Sequence, residues 1–161
     1  MEQIKRILSP IDFSDNAGKV VEAAVYIAGV FQAELQLVFV VQNFEDYSSF
    51  FVPPVNMPRL EDELYTSAQQ RMDAYIKELK PMLAEHRVLT VSGKILVGDI
   101  AEEILALTAS GHFNLIVMGT HGYKGFERIM FGSVADKVVK NSCCPVMTIN
   151  PYREECEKLY S

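Results

Sequence analysis

Short apolar runs alternate with stretches of helical periodicity along this chain, and that alternation restricts its fold more than any other feature. Residues 2–9 end in Ile7-Leu8, residues 34–41 are mostly apolar over their last half, and Leu115-Ile-Val-Met118 is wholly apolar. Near-continuous apolarity suits parallel strands covered on both faces. Between them, Ala17, Val20, Val21, Ala24, Ile27, Ala28 and Phe31 recur at helical spacing. Leu64, Ala68, Met72, Tyr75, Ile76, Leu79 and Leu83 predict a second helix over 61–85, which Pro81 should kink or end. A strand over 88–96, a helix after Asp99, a strand over 114–118, a helix over 133–141 and a strand over 146–149 complete the series. Strands alternating with helices imply βαβ units and a parallel sheet with helices on both faces.

The 161 residues suit one domain over 1–150, with a short charged tail over 151–161. A net charge of −6 gives no global attraction to nucleic acid, and no Lys/Arg cluster offsets it. Neither a signal peptide nor a membrane-length apolar run is visible. Cys143, Cys144 and Cys156 make a poor disulfide framework, so reduced thiols and a cytoplasmic location are the simplest expectation. Cys143-Cys144 reads as small apolar residues entering the last strand.

Smaller signals refine the elements. Ser14 or Asp15 can cap the first helix. Gly29 reads as a mild helix weakener, Gly93 as a bulge marker and Gly111 as a C′ residue. Asp99 and Glu102 have capping-box spacing. His86 and His112 read as surface residues following helices. The segment 43–60, with Phe44, Tyr47, Phe50, Phe51 and three prolines, has no periodicity and reads as a long loop, a lid or a partner surface.

Chemistry concentrates after the fourth strand. Gly119-Thr-His-Gly122 is followed nine residues later by Gly132-Ser133 at a helix start. Glycine lets a backbone approach a ligand closely, and a helix N-terminus offers unpaired N–H groups and partial positive charge to an anion. Ser133 reads as an N-cap residue, a role that can coexist with a ligand contact. The spacing is neither G-x-x-x-x-G-K-[ST] nor G-x-G-x-x-G. Asp12, just past the first strand, is either a turn residue or a carboxylate for ribose hydroxyls. His121 and Arg128, inside the glycine segment, read as solvated loop residues, with a phosphate contact as the alternative for each.

These residues together resemble the universal stress protein family, whose ATP-binding signature is G-x₂-G-x₉-G-[ST]. Ile7-Leu-Ser-Pro-Ile-Asp12-Phe-Ser, Val97-Gly-Asp-Ile-Ala-Glu-Glu-Ile-Leu, Gly132-Ser-Val-Ala-Asp-Lys-Val-Val and Cys144-Pro-Val-Met-Thr-Ile extend the likeness over about residues 3–150. The resemblance implies an open α/β fold, Rossmann-like and of the adenine nucleotide alpha hydrolase type. Its five parallel strands would run in the order 3-2-1-4-5 with helices on both faces. It also implies that Asp12 contacts ribose, that Val40 meets adenine through its main chain, and that Pro10, Ile11 and Met118 lie nearby. Gly119, Gly122, Gly132, Ser133 and Val134 would surround ribose and phosphates, with Mg²⁺ held through the phosphates. The last strand, Val146 to Ile149, would form a homodimer edge. Two departures stand out: the greasy 43–60 segment, open to a protein partner, and Phe39 where the family often has histidine.

The expected function is therefore an ATP-binding, dimeric, nucleotide-dependent regulator with slow hydrolysis or none, because no acid/base pair or arginine finger is evident. Slow ATP hydrolysis, adenylyl transfer on the same fold, and a scaffold that binds no nucleotide are the alternatives. A receiver-type domain would need paired acids after the first strand, where Asp12 stands alone.

Overall fold

The computed structural model describes residues 3–42, 57–120, 132–152 and 158, the side chains of 57–59 excepted. Five strands, β1 (Arg6–Pro10), β2 (Glu34–Gln42), β3 (Val91–Gly98), β4 (Leu115–Gly119) and β5 (Val146–Ile149), form one sheet. Its order is β3-β2-β1-β4-β5 and every pairing is parallel.

The helices are α1 (Ala17–Phe31), α2 (Met57–Glu78), α3 (Lys80–Glu85), α4 (Ile100–Ser110) and α5 (Ser133–Asn141). The two faces of the sheet have separate cores. Ile7, Leu35, Leu37 and Val117 pack with Val21, Val25, Met72 and Leu83 of α1, α2 and α3. Leu8, Val38, Val40, Ile116 and Met118 pack with Ile104, Leu107, Ala135 and Val138 of α4 and α5. Alternation along each strand sends successive side chains to opposite cores, so strands covered on both sides must be apolar throughout. From β1 the chain works outward to β3, then crosses to β4 on the other side of β1. That reversal makes the β1/β4 boundary the switch point.

Several local expectations change. The first strand ends at Pro10 rather than at residue 9, and the third spans 91–98 rather than 88–96. The predicted 61–85 helix begins at Met57 and is split at Leu79, with Pro81 in the first turn of α3. Proline has no N–H to give the preceding turn, so the break falls just before it. Residues 43–56 of the aromatic segment lie outside the described residues, and Met57 to Leu60 belong to α2.

The glycines act through proximity. A β-carbon at Gly29 would lie under 3.0 Å from the His86 carbonyl oxygen, and one at Gly93 under 3.0 Å from Met72 and Ile76. Gly93 pairs with Leu37 in a continuous ladder, so it marks close helix–sheet approach and no bulge. Gly111 caps α4 with φ −87°, and the left-handed residue is His112 at φ 52°. His86 caps α3 and sets its ring edge-on to Tyr26 at 5.7 Å. Cys143 is exposed and Cys144 half-buried, so only the second behaves as a core-facing thiol. Burial raises the Cys144 pKa above the usual thiol value. Cys156 lies outside the described residues.

Candidate functional site

β1, β2 and β4 lie side by side in the sheet, and Pro10, Val40 and Met118-Gly119 stand at or near their carboxyl ends. β1 pairs with β2 up to Pro10 opposite Val38, and with β4 at Leu8 opposite Ile116. Continuing those registers sets Asp12 level with both Val40 and Thr120. The Ile11 N–H donates to the Val38 carbonyl at 2.9 Å, closing the β1–β2 ladder. Main-chain groups alternate direction along a strand, so those of Val40 point the same way as those of Val38, past the end of β1. The Val40 main-chain groups therefore lie beyond the last β1 pairing, while the Val40 side chain stays in the core.

Ile11 and Met118 also bury their side chains, one on each face of the sheet. Pro10 is half-buried at the strand end, where its missing N–H costs little.

Asp12 is partly engaged already. Its Oδ1 accepts from the Ser14 amide at 2.9 Å and from the Ser14 hydroxyl at 2.6 Å. Both bonds fall on one oxygen, leaving Oδ2 for an outside donor. The bonds also remove Ser14 as a side-chain cap for α1, and Asp15 does not replace it. Asn16 holds the N-cap position without a capping bond, and the Ala17 amide bonds the Ser14 carbonyl instead.

Across the switch point, Gly119 closes β4 opposite Ile149. Gly132 is the N-cap residue of α5, with φ −54° and ψ 143°, and no side chain caps the helix. The Gly132 amide goes to the Thr120 carbonyl, and the Gly132 carbonyl accepts the first helical bond from Asp136. The amides of Ser133, Val134 and Ala135 therefore have no helical acceptor. Ser133 is the first residue inside α5 rather than its cap, and it is exposed. Gly122, His121 and Arg128 lie outside the described residues.

Two features of this end of the molecule are not evident in the sequence. Lys137 of α5 reaches Glu102 at 3.1 Å and Asp99 at 3.4 Å, tying α5 to the start of α4. Asp99 caps α4 by accepting from the Glu102 amide at 3.0 Å, and that bond is the main cause holding its pKa below the usual carboxylate value. Behind the Asp12 turn, on the α1–α2 side, a cavity of about 370 Å³ is lined by Phe13, Ser14, Arg71, Tyr75 and Glu78 among others. Burial first, and Glu78 second, push the Tyr75 phenol above its ordinary pKa. No cluster of three or more His, Cys, Asp or Glu side chains suited to a metal ion occurs among the described residues. None of the described helices is long and apolar enough to cross a membrane.

A doubly wound parallel sheet with an uncapped, glycine-led helix at its switch point defines the class. The family model of the universal stress protein family matches residues 3–150, and the chain belongs to that family. A universal stress protein of Methanocaldococcus jannaschii, MJ0531, is 36% identical over 152 residues, covering 94% of this chain and 85% of the relative. The universal stress protein UspA from Lactobacillus plantarum has the same fold, with a TM-score of 0.77 and 27% identity, covering 93% of this chain and all of that one. A universal stress protein from Archaeoglobus fulgidus in complex with dAMP shares the fold at a TM-score of 0.62 and 19% identity, covering 92% of this chain and 100% of that one.

Proposed function

We propose that this protein binds an adenine nucleotide, with ATP the fullest occupant, and works as a nucleotide-dependent dimeric regulator with little or no ATPase activity. The observation that carries this reading is the start of α5. Three backbone amides without helical acceptors open from a glycine cap, at the sheet end that holds Asp12 and Val40. Such a terminus suits phosphate. Asp12 Oδ2 suits a ribose hydroxyl, and the Val40 main chain suits the donor–acceptor edge of adenine. The Archaeoglobus fulgidus relative holds dAMP, a ligand of this chemistry. Gly119, Gly122, Ser133 and Val134 complete the phosphate and ribose surround in this reading. Mg²⁺ would be carried by the phosphates rather than by a protein cage.

The homodimer is assigned to β5, the edge strand, where Met147 is 40% exposed and, on α5, Val139 is 45% exposed. An open edge of this kind calls for cover. Met147→Lys should shift the purified protein toward monomer in sedimentation, and an unchanged species would overturn the assignment.

Calorimetric titration of ATP, AMP and inorganic phosphate into the wild type tests the central claim. ATP is expected to bind more tightly than phosphate. No heat from either nucleotide at high micromolar concentration would end the nucleotide reading. Phosphate release with Mg²⁺ present tests the second half, since turnover near an ordinary enzyme's ~10 per second would make the protein a catalyst.

A further inference from the structure

We propose that Arg71 is a positioning residue for the nucleotide site, acting on Asp12 through Phe13. The proposal rests on the nucleotide reading above and adds a residue that touches no ligand.

Phe13 sits between Asp12 and the Ser14 groups that Asp12 binds, and its φ is 57°. A side chain in this left-handed region crowds its β-carbon against the backbone, and for a bulky residue the conformation is a clear outlier. It persists only where the surroundings impose it. Here three side chains do so. The Phe39 ring lies 4.9 Å from the Phe13 ring between centroids, and Tyr75 meets it edge-on at 6.1 Å. The Arg71 guanidinium stands over the Phe13 ring at 4.9 Å from its centroid, and its Nη2 donates to the Phe13 carbonyl at 3.4 Å.

Arg71 therefore grips both the ring and the main chain of the residue that sets the turn. It makes no ion pair among the described residues, so its charge is directed at the ring and the carbonyl. Arg71 and Tyr75 lie four residues apart on α2, one turn along the same face. Releasing the grip lets Phe13 leave the left-handed region, and the Asp12 carboxylate then loses its Ser14 bonds and its aim at the crevice. The turn is thus held by a helix from a different βαβ unit, which ties the geometry of Asp12 to the seating of α2.

Arg71→Met keeps the apolar stem and removes the guanidinium. It should weaken ATP binding about three- to tenfold, the size of a lost cation–π contact, with little change in the unfolding midpoint. It should also speed exchange of the Ser14 amide hydrogen in the ligand-free protein. Phe13→Gly takes the left-handed conformation without a clamp. In that background Arg71→Met should change affinity by less than about twofold, because the pair is coupled. Equal losses with and without Phe13 would overturn the proposal, as would wild-type affinity in Arg71→Met or an unchanged Ser14 amide. A wild type that binds no nucleotide would instead overturn the nucleotide reading on which the proposal rests, and the Ser14 amide would still report whether Arg71 holds the turn.

Discussion

The Gly132 amide donates to the Thr120 carbonyl at 3.0 Å, joining the end of β4 to the start of α5. Thr120 in turn donates its own amide to the Ile149 carbonyl at 3.0 Å. The start of α5, the end of β4 and the end of the edge strand are therefore held as one piece. The amides of Ser133 to Ala135 are thus presented from a fixed frame. A frame that fixes donors before the ligand arrives reduces the ordering cost of binding.

Opposite effects on stability and binding are expected from Gly132→Asp. A carboxylate at the N-cap satisfies free amides of α5 and favours the helix dipole, raising stability by about 0.5–1 kcal/mol. The same carboxylate occupies the donors assigned to phosphate and repels it, so ATP affinity should fall by at least about tenfold. Thermal unfolding and calorimetry on one sample check both signs. Gly132→Val should weaken ATP without the gain in stability, since valine is a poor cap.

Gly29→Ala and Gly93→Ala should both destabilise the protein, in that order of severity. In an exposed helix interior, replacing glycine by alanine is worth about 1 kcal/mol of added stability. At Gly29 the new methyl meets the His86 main chain, which cannot step aside without moving α3. At Gly93 it meets Met72 and Ile76, whose side chains can partly repack. Losses of about 1–3 kcal/mol are expected in urea unfolding, with Gly29→Ala at the upper end.

Ser9→Ala should stabilise. Ser9 is fully buried in β1 and its hydroxyl has no hydrogen-bond partner among the described residues. An unsatisfied buried hydroxyl costs about 1–3 kcal/mol, so its removal should raise the unfolding midpoint by a few degrees, about 2–4 °C per kcal/mol in a chain of this size. A lower midpoint would mean that the hydroxyl has an acceptor.

Acid should loosen α4 before the rest of the fold. The folded pKa of Asp99 is depressed, chiefly by the bond from the Glu102 amide. Its contribution is therefore present above the unfolded value of about 4 and fades as pH falls through the lower folded value. Asp99→Asn keeps a capping acceptor and should remove most of this acid sensitivity. Asp99→Ala should cost about 1 kcal/mol at neutral pH, measured by denaturant unfolding at pH 7 and pH 3.

The helix over 17–31 and the strand over 146–149 are legible residue by residue, because periodicity and edge polarity are properties of neighbours along the chain. The places of two glycines are legible for the same reason. Gly119 ends β4 and Gly132 opens α5, as the spacing along the chain implies. The roles of Gly29 and Gly93 are not legible. Each answers to an atom far away in sequence, and a local reading assigned them to helix weakening and a bulge. Ser133 reads as the cap in the sequence, and the helix boundary places the cap on Gly132 instead. Phe13 gave no signal, since its left-handed backbone depends on Phe39, Arg71 and Tyr75 gathering around it.

Spacing over a few residues carries the alternation of strands and helices, the apolar faces, and the glycine-led start of α5. The pairing of Pro10 with Val38 and of Leu8 with Ile116, the Lys137 tie between α5 and α4, and the Arg71 hold on Phe13 belong to the tertiary structure. Those relations need segments distant along the chain to meet at a particular register. Register is set by the packing of the whole sheet, which no local pattern encodes.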